Sequence, residues 1–245
     1  VSQAPRHSLV IPAYNEAELL PRLLASVAEA QASYQGGAEN IEVVVADNAS
    51  TDDTAAIARA TGCRVASVSK RVIAAARNGG AAVATGEILS FIDAASQVHP
   101  QTFNAIDRAI ATGRVVGGAT GVRLDRWSPG IAAFFLLMAP VAFLTGMDTG
   151  VVFCRRSDFL AIGGYDESRR LAEDVAFLRA LKRLGSSRGQ RLARITEVKA
   201  VTSTRKFDRH GDWHIFTQIA PRAVLALLSK RGEDELADCF WYKDR

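Results

Sequence analysis

The stretch Gly86-Glu87-Ile88-Leu89-Ser90-Phe91-Ile92-Asp93-Ala94-Ala95-Ser96 sets an apolar run, Ile88 to Ile92, directly before an aspartate. A short, mostly apolar run bounded by turn residues reads as a buried strand. Ligands of open α/β sheets bind at the carboxyl ends of strands, often where the strand order reverses. Asp93 is thereby placed to hold a metal, a ribose or a phosphate-bound cation. The plainer alternative is an N-cap for a helix beginning near Pro100, since aspartate is a favoured cap.

Working outward, the same alternation repeats. Ser8 to Ile11 is a strand that stops at Pro12, and Ala17 to Ala30 sets Leu19, Leu20, Leu23, Leu24 and Val27 at helical spacing. Pro21 falls in the first turn, where proline is tolerated. Ile41 to Ala46 is a second strand, and Thr51-Asp52-Asp53-Thr54 opens a helix ending at Gly62. Arg64 to Val68 is a third strand, and Ala74 to Ala84 an alanine-rich helix whose Gly79-Gly80 lets another backbone approach. A helix from about Pro100 to Ile110 follows the central strand. Strand alternating with helix predicts a Rossmann-like, mostly parallel sheet with helices on both faces. The second half is less regular: strands over Val115–Leu124, Thr149–Cys154 and Ile195–Val201, and helices over Ile131–Leu144, Ser157–Ile162, Ala172–Leu184 and Asp212–Leu228.

Composition narrows the class. The 245 residues are long enough to bury a sizeable core, and a net charge of +4 without any Lys/Arg block excludes a nucleic-acid tail. Cys63, Cys154 and Cys239 are widely spaced and lack a CxxC pattern, which fits reduced thiols in a cytoplasmic protein better than disulfides or a zinc site. The first apolar run ends at Pro12, so no signal peptide is expected. The most apolar run, from Ile131, is broken by Pro140 and falls short of the roughly 18 residues a membrane span needs. A core helix is its default reading, and a lipid-facing surface with peripheral contact at the inner membrane face is the alternative.

At the strand ends stand Pro12-Ala13-Tyr14-Asn15-Glu16, Asp47-Asn48-Ala49-Ser50-Thr51-Asp52, Arg77-Asn78-Gly79 and Asp93-Ala94-Ala95. With Gly163-Gly164-Tyr165-Asp166-Glu167 and Ala172-Glu173-Asp174-Val175, these motifs run in order over about residues 7 to 185. In that set the chain resembles the family 2 glycosyltransferases. The resemblance implies a GT-A fold: a nucleotide-binding half over about 1–112, and an acceptor half with a mixed sheet and a C-terminal helix over about 113–245. The whole is expected to be a single domain.

It also implies roles. Pro12, Ala13 and Tyr14, with Glu16 nearby, would flank the base of a UDP- or GDP-linked sugar. Asp47, beside Asn48, would accept hydrogen bonds from that base, as an acceptor-only carboxylate suits an N–H edge. An Asx-turn, or a cap on the helix after Thr51, is the competing reading of Asp47. Arg77 would reach the nucleotide or its phosphates, or else lie solvated on its helix. Asp93 would be the first acid of an Asp-x-Asp motif, holding a ribose hydroxyl and a Mg²⁺ or Mn²⁺ ion on the diphosphate. Ala94 and Ala95 complete the turn, and Ala95 stands where the family has its second aspartate. Metal binding is therefore expected to be weak, with His210 a distant further ligand. Three accounts fit Ala95: an engineered variant, favoured because the other motifs are intact, a natural metal-independent enzyme, or a binding protein that has lost catalysis.

Asp174, beside Glu173, is the expected base that deprotonates the acceptor hydroxyl in an inverting transfer. Acids also simply favour helix N-termini, and the dipole there weakens a carboxylate as a base. Arg205 and Lys206 lie in a basic segment suited to closing over a diphosphate. The acceptor, a lipid or a small molecule, is not specified. Rival readings are a catalytically inactive nucleotide-sugar binding protein and a nucleotidyltransferase, the latter disfavoured because no glycine-rich signature follows the first strand.

Overall fold

The computed structural model describes residues 4–133, 136, 150–170 and 172–213. The first strand is β1 (His7–Ala13), with every residue buried. Leu9 and Ile11 enter one apolar core and Val10 the other. A strand buried on both faces belongs in the middle of a sheet covered on both sides. β2 (Ile41–Asp47) and β4 (Ile88–Phe91) flank β1 in parallel, and β3 (Arg64–Ser67) pairs with β2. The order β3-β2-β1-β4 puts a reversal of winding between β1 and β4.

Beyond β4 the pairing becomes antiparallel, with β7 (Val152–Arg155) against β4 and β6 (Val115–Leu124) against β7. β8 (Arg191–Thr202) and β5 (Ser96–Gln97) complete an eight-stranded sheet in the order β3-β2-β1-β4-β7-β6-β8-β5. The α/β class, parallel then mixed, is as expected. β5 was not foreseen, because two residues carry no periodicity.

The helices start later than expected where loops have other work. α1 (Leu20–Ala32) begins after a turn in which the Glu16 carbonyl accepts from the Leu19 and Leu20 N–H groups. α2 (Thr54–Ala60) begins at Thr54, because residues 50–52 bond to the loop after β1. In α3 (Ile73–Val83), a β-carbon on Gly80 would meet Val10 Cγ1 at 2.4 Å and Ala46 Cβ at 3.2 Å. The close approach at this glycine is thus helix against strand side chains, not the backbone contact expected. α4 (Thr102–Ala111) is preceded by Gln101 at its N-cap, so Asp93 caps nothing there. Helices Arg156–Ala161, Glu173–Ser186 and Arg205–His210 follow.

The chain divides into two compact units, Val1–Arg123 with Met147–Thr202, and Leu124–Gly146 with Ser203–Arg245. The pairing of β4 with β7 carries part of the C-terminal half into the first unit's sheet. In the second unit, Arg126 bonds to Asp208 at 2.7 Å and to Asp212 at 2.7 Å, and Thr204 donates to Asp125 at 2.8 Å. Of the apolar run from Ile131, Ile131 is buried, Leu136 is exposed, and most of the rest lies outside the described residues. So does the helix expected from Asp212 to Leu228, beyond residue 213. No helix among the described residues is long and apolar enough to cross a membrane.

Candidate active site

Strand register brings the loop starts to one edge of the sheet. Ala13 pairs with Asp47, Asp47 with Ser67, and Val10 with Phe91. The loops beginning at Tyr14, Asn48 and Val68 therefore leave beside each other, with the Asp93 turn next along. The first two are sewn together. Asn15 Oδ1 accepts from the Thr51 N–H at 2.9 Å, the Glu16 N–H donates to Thr54 Oγ1 at 2.8 Å, and the Ala17 N–H donates to Asp52 Oδ2 at 3.1 Å. Asp47 Oδ1 accepts from the Ser50 N–H at 3.2 Å, three residues on, a local bond that turns the chain out of β2. Buried Asn48 donates its amide to the carbonyls of Val68 and Lys70, bracing the loop after β3.

One side chain joins the rest. Arg77 rises from α3 into the protein with only 4% of its side chain exposed. Its Nη2 donates to Asp93 Oδ1 at 3.0 Å and its Nη1 to Glu173 Oε1 at 2.8 Å. Asp174 Oδ1 lies 2.7 Å from the same Nη1. The guanidinium sits 5.0 Å from the centre of the Tyr165 ring, which stacks on Phe177 at 4.1 Å. Asn78, the next residue, accepts from the Tyr165 N–H at 2.8 Å and donates to the Tyr165 carbonyl at 2.9 Å. A planar, always charged group with several donors suits such a buried meeting of carboxylates.

The electrostatics follow from burial. Desolvation pushes the Asp174 carboxyl up; Arg77 pulls it down, Glu173 and Asp93 push it up again, and the balance lies at about 6. Burial works against the charge on Arg77, but Asp174, Asp93 and Glu173 more than offset it and hold the guanidinium protonated. Burial likewise raises Tyr165, keeping its hydroxyl neutral. Arg77 Nε is buried without a hydrogen-bond partner, while Asp174 Oδ1 is held in the ion pair with Arg77.

Comparison with known proteins agrees with this arrangement. The model of the family described as Glycosyl transferase family 2 matches residues 8–138. The chain belongs to glycosyl transferase family 2. Over 112 residues this family 2 chain is 37% identical to the validoxylamine A glucosyltransferase of Streptomyces hygroscopicus subsp. jinggangensis, an alignment covering 43% of the chain and 25% of that protein. The chain thus matches a quarter of that curated relative's length. Among solved structures it is similar to a mannosyltransferase from Pyrobaculum calidifontis in complex with GDP-Man and Mn²⁺, with TM-score 0.68, 22% identity, and coverage of 87% of this chain and 61% of that one. It is also similar to glucosyl-3-phosphoglycerate synthase from Mycobacterium tuberculosis, solved with Mn²⁺, UDP and phosphoglyceric acid, with TM-score 0.57, 20% identity, and coverage of 86% and 76%. The fold is GT-A.

In this family 2 chain, Asp93, Arg77, Glu173 and Asp174 come together, while Tyr14, Asp47 and Asn48 lie at the adjoining strand ends. Arg77, expected to reach the nucleotide, is instead buried among carboxylates. Glu16 is buried at the head of α1, and Pro12 and Ala13 are buried in β1. Arg205, Lys206 and His210 lie on the short helix of the second unit, and the side chains of Lys206 and His210 are outside the described residues. Mn²⁺ or Mg²⁺ is consistent with the structural neighbours. Asp93, 35% exposed at the strand end and engaged by Arg77 through Oδ1, is the carboxylate suited to such an ion. No group of three or more His, Cys, Asp or Glu able to hold a metal occurs among the described residues, so donor phosphates and water would complete the coordination. Sequence reasoning missed the packing of Tyr165 under Arg77, and also Lys70, which bonds Glu167 at 2.8 Å. The Gly163-Gly164-Tyr165 turn was its only trace.

Proposed function

We propose that this chain transfers a sugar, with inversion, from a UDP- or GDP-linked donor to an acceptor hydroxyl. The observation that carries this is the single guanidinium of Arg77 bonded to Asp93 on one side and to Glu173 and Asp174 on the other. A residue at the donor end of the sheet and a candidate base are thereby held within one side chain's span. Asp174 keeps 19% of its side chain exposed, so a substrate hydroxyl has a way to it. A carboxyl with a pKa of about 6 is well matched to general-base work near neutrality.

In this reading Tyr14 and Asp47 receive the nucleobase and Asp93 the ribose or diphosphate. The acceptor oxygen attacks the anomeric carbon from the face opposite the leaving nucleoside diphosphate, and its proton passes to Asp174. Arg77 holds that carboxylate in place. The exposed part of the Asp174 carboxylate, beyond the Oδ1 that Arg77 holds, would receive the acceptor hydroxyl. A divalent cation, when bound beside Asp93, supplies Lewis-acid relief of charge on the diphosphate. The free thiols of Cys63 and Cys154 support a cytoplasmic location.

The absent second acid at Ala95 favours the other reading, a nucleotide-sugar binding protein without catalysis. Radiolabelled UDP- and GDP-sugars, with and without Mn²⁺, decide between them. Transfer or slow donor hydrolysis is expected; binding without either, even in Ala95→Asp, leaves only the binding protein.

A further inference from the structure

Strand β8 pairs with β5 only through Val201 and Thr202, so on that side the backbone edge of residues 192–199 has no partner strand among the described residues. Between this edge and α4 lies a groove of about 810 Å³. Arg191, Leu192, Ala193, Arg194 and Ile195 line it in unbroken succession. Successive side chains of a strand point to opposite faces, so a groove that all five touch faces the strand's backbone edge. Cys154 pairs with Gly117 of β6 and with Leu89 of β4, which sets the start of β6, where Val115 lines the groove, at the end of the sheet away from Asp93.

The groove is held in shape and is basic. Arg155 braces the turn after α4 by donating to the carbonyls of Val115 at 2.9 Å and Ile110 at 3.1 Å. From the other side the Arg191 N–H donates to the Arg114 carbonyl at 2.9 Å, and Gln190 Nε2 to the Gly113 carbonyl at 3.0 Å. Arg114 and Arg191 therefore stand together at one end of the groove, both exposed, and neither has an ion pair among the described residues. Arg108 and Arg194 line it as well, and the one acid there is Glu197, 3.9 Å from Arg108, with both side chains 61% exposed. So exposed a pair offsets little of the charge.

An unpaired strand edge is a template for another strand. Outward cations blunt such an edge against a second copy, since pairing two β8 edges would set arginine against arginine. The same cations suit a strand of opposite charge. We propose that the groove between α4 and β8 is a docking site for an acidic peptide segment in extended conformation, which adds a strand to the sheet at β8 and lays its carboxylates against Arg114 and Arg191. The small side chains of Ala105, Ala109 and Ala193 leave room for the strand's alternate side chains. No aromatic ring among the described residues lines the groove for a base to stack on, which places a single-stranded nucleic acid second.

The test is fluorescence anisotropy of the full chain, at low and at high salt, with a labelled peptide that alternates Glu with Val and Thr. Two controls are the same peptide with Lys for Glu, and an acidic peptide interrupted by proline, which keeps the charge but cannot form a strand. The acidic peptide is expected to bind, more weakly at high salt, and roughly tenfold more weakly to Arg114→Glu and to Arg191→Glu. Both controls are expected to bind at least about tenfold more weakly than the acidic peptide. Amide hydrogen exchange of residues 192–199 should slow in the complex. Where a charge reversal lowers the melting temperature, Arg114→Gln and Arg191→Gln take its place, each with a loss of about threefold. Absence of binding, equal binding of the proline peptide, unchanged exchange at β8, or unaltered affinity in the arginine variants overturns the proposal. So does a single-stranded oligonucleotide or a phosphatidylserine vesicle that binds with the same arginine dependence while the acidic peptide does not.

Discussion

Arg77 and Asp174 set the character of the site at the level of single residues. A guanidinium with only 4% of its side chain exposed is stable there because three carboxylates answer its charge. Arg77→Ala leaves those carboxylates crowded and unanswered, and the chain should lose about 3–5 kcal/mol of stability in urea titration. A loss under 1 kcal/mol would mean the cluster is solvated after all. For Asp174 the sign runs the other way from an ordinary ion pair. Its pKa rises from 3.8 to about 6 in the folded chain, so folding favours its protonated form, and stability drains as pH climbs from about 4 to 6. Asp174→Asn should therefore melt at a higher temperature than the parent at pH 7.5. It should also lose a factor of about 10²–10⁴ in transfer while binding the nucleotide as before. The parent's rate should rise with pH and level off above about 6. A variant that keeps its rate, or a rate flat from pH 5 to 8, removes Asp174 from the base role.

At the level of elements, α3 is the part that ties sequence to site. It carries Arg77 and Asn78, and its approach to the sheet is set by Gly80 against Val10 and Ala46. Both strand residues are fully buried, so a methyl group at Gly80 has nowhere to go. Gly80→Ala should cost about 1–2 kcal/mol, as overpacking outweighs the roughly 1 kcal/mol gained in helix propensity. At Gly79 the obstacle is Val68 Cγ2 at 2.4 Å, on a half-buried side chain. Gly79→Ala should stay within about 1 kcal/mol of the parent. Equal effects of the two in thermal unfolding would show that helix propensity, not packing against β1, governs both. The alanine-rich composition of α3 made the helix legible from sequence. The glycines signalled a close approach, though not that strand side chains make it.

The whole first unit is closed at the other end of the sheet by a second polar cluster. Asp107 of α4 accepts from the Tyr34 hydroxyl at 2.6 Å and from Arg6 Nε at 3.1 Å, with His7 Nε2 at 3.3 Å. Burial alone would raise the Asp107 pKa, but His7, Tyr34 and Arg6 outweigh it and hold it at about 2. The unfolded value lies higher, so this carboxylate stabilises the fold above pH 4, and its contribution fades as pH falls toward 2. Tyr34→Phe should cost about 1 kcal/mol near neutrality and move acid unfolding, followed by circular dichroism, to higher pH. An unchanged acid midpoint would remove Tyr34 from the cluster.

Local pattern was enough to specify the parallel half of this protein. Apolar runs of strand length, amphipathic spacing and turn residues act over a few neighbours, so β1, β2, β4 and their helices can be read from the chain as written. The motifs likewise marked Asp93, Glu173 and Asp174 as acids at element ends. What they do together was decided only by the fold. Arg77 meets Asp93 sixteen residues on and Glu173 ninety-six residues on. No local periodicity encodes contacts at such separations. Whether Arg77 would face phosphate or carboxylate, and whether Asp174 would be buried enough to titrate near 6, depended on long-range packing around the antiparallel return of β7 against β4. Desolvation, which pushes the Asp174 carboxyl up, is a property of packing in three dimensions.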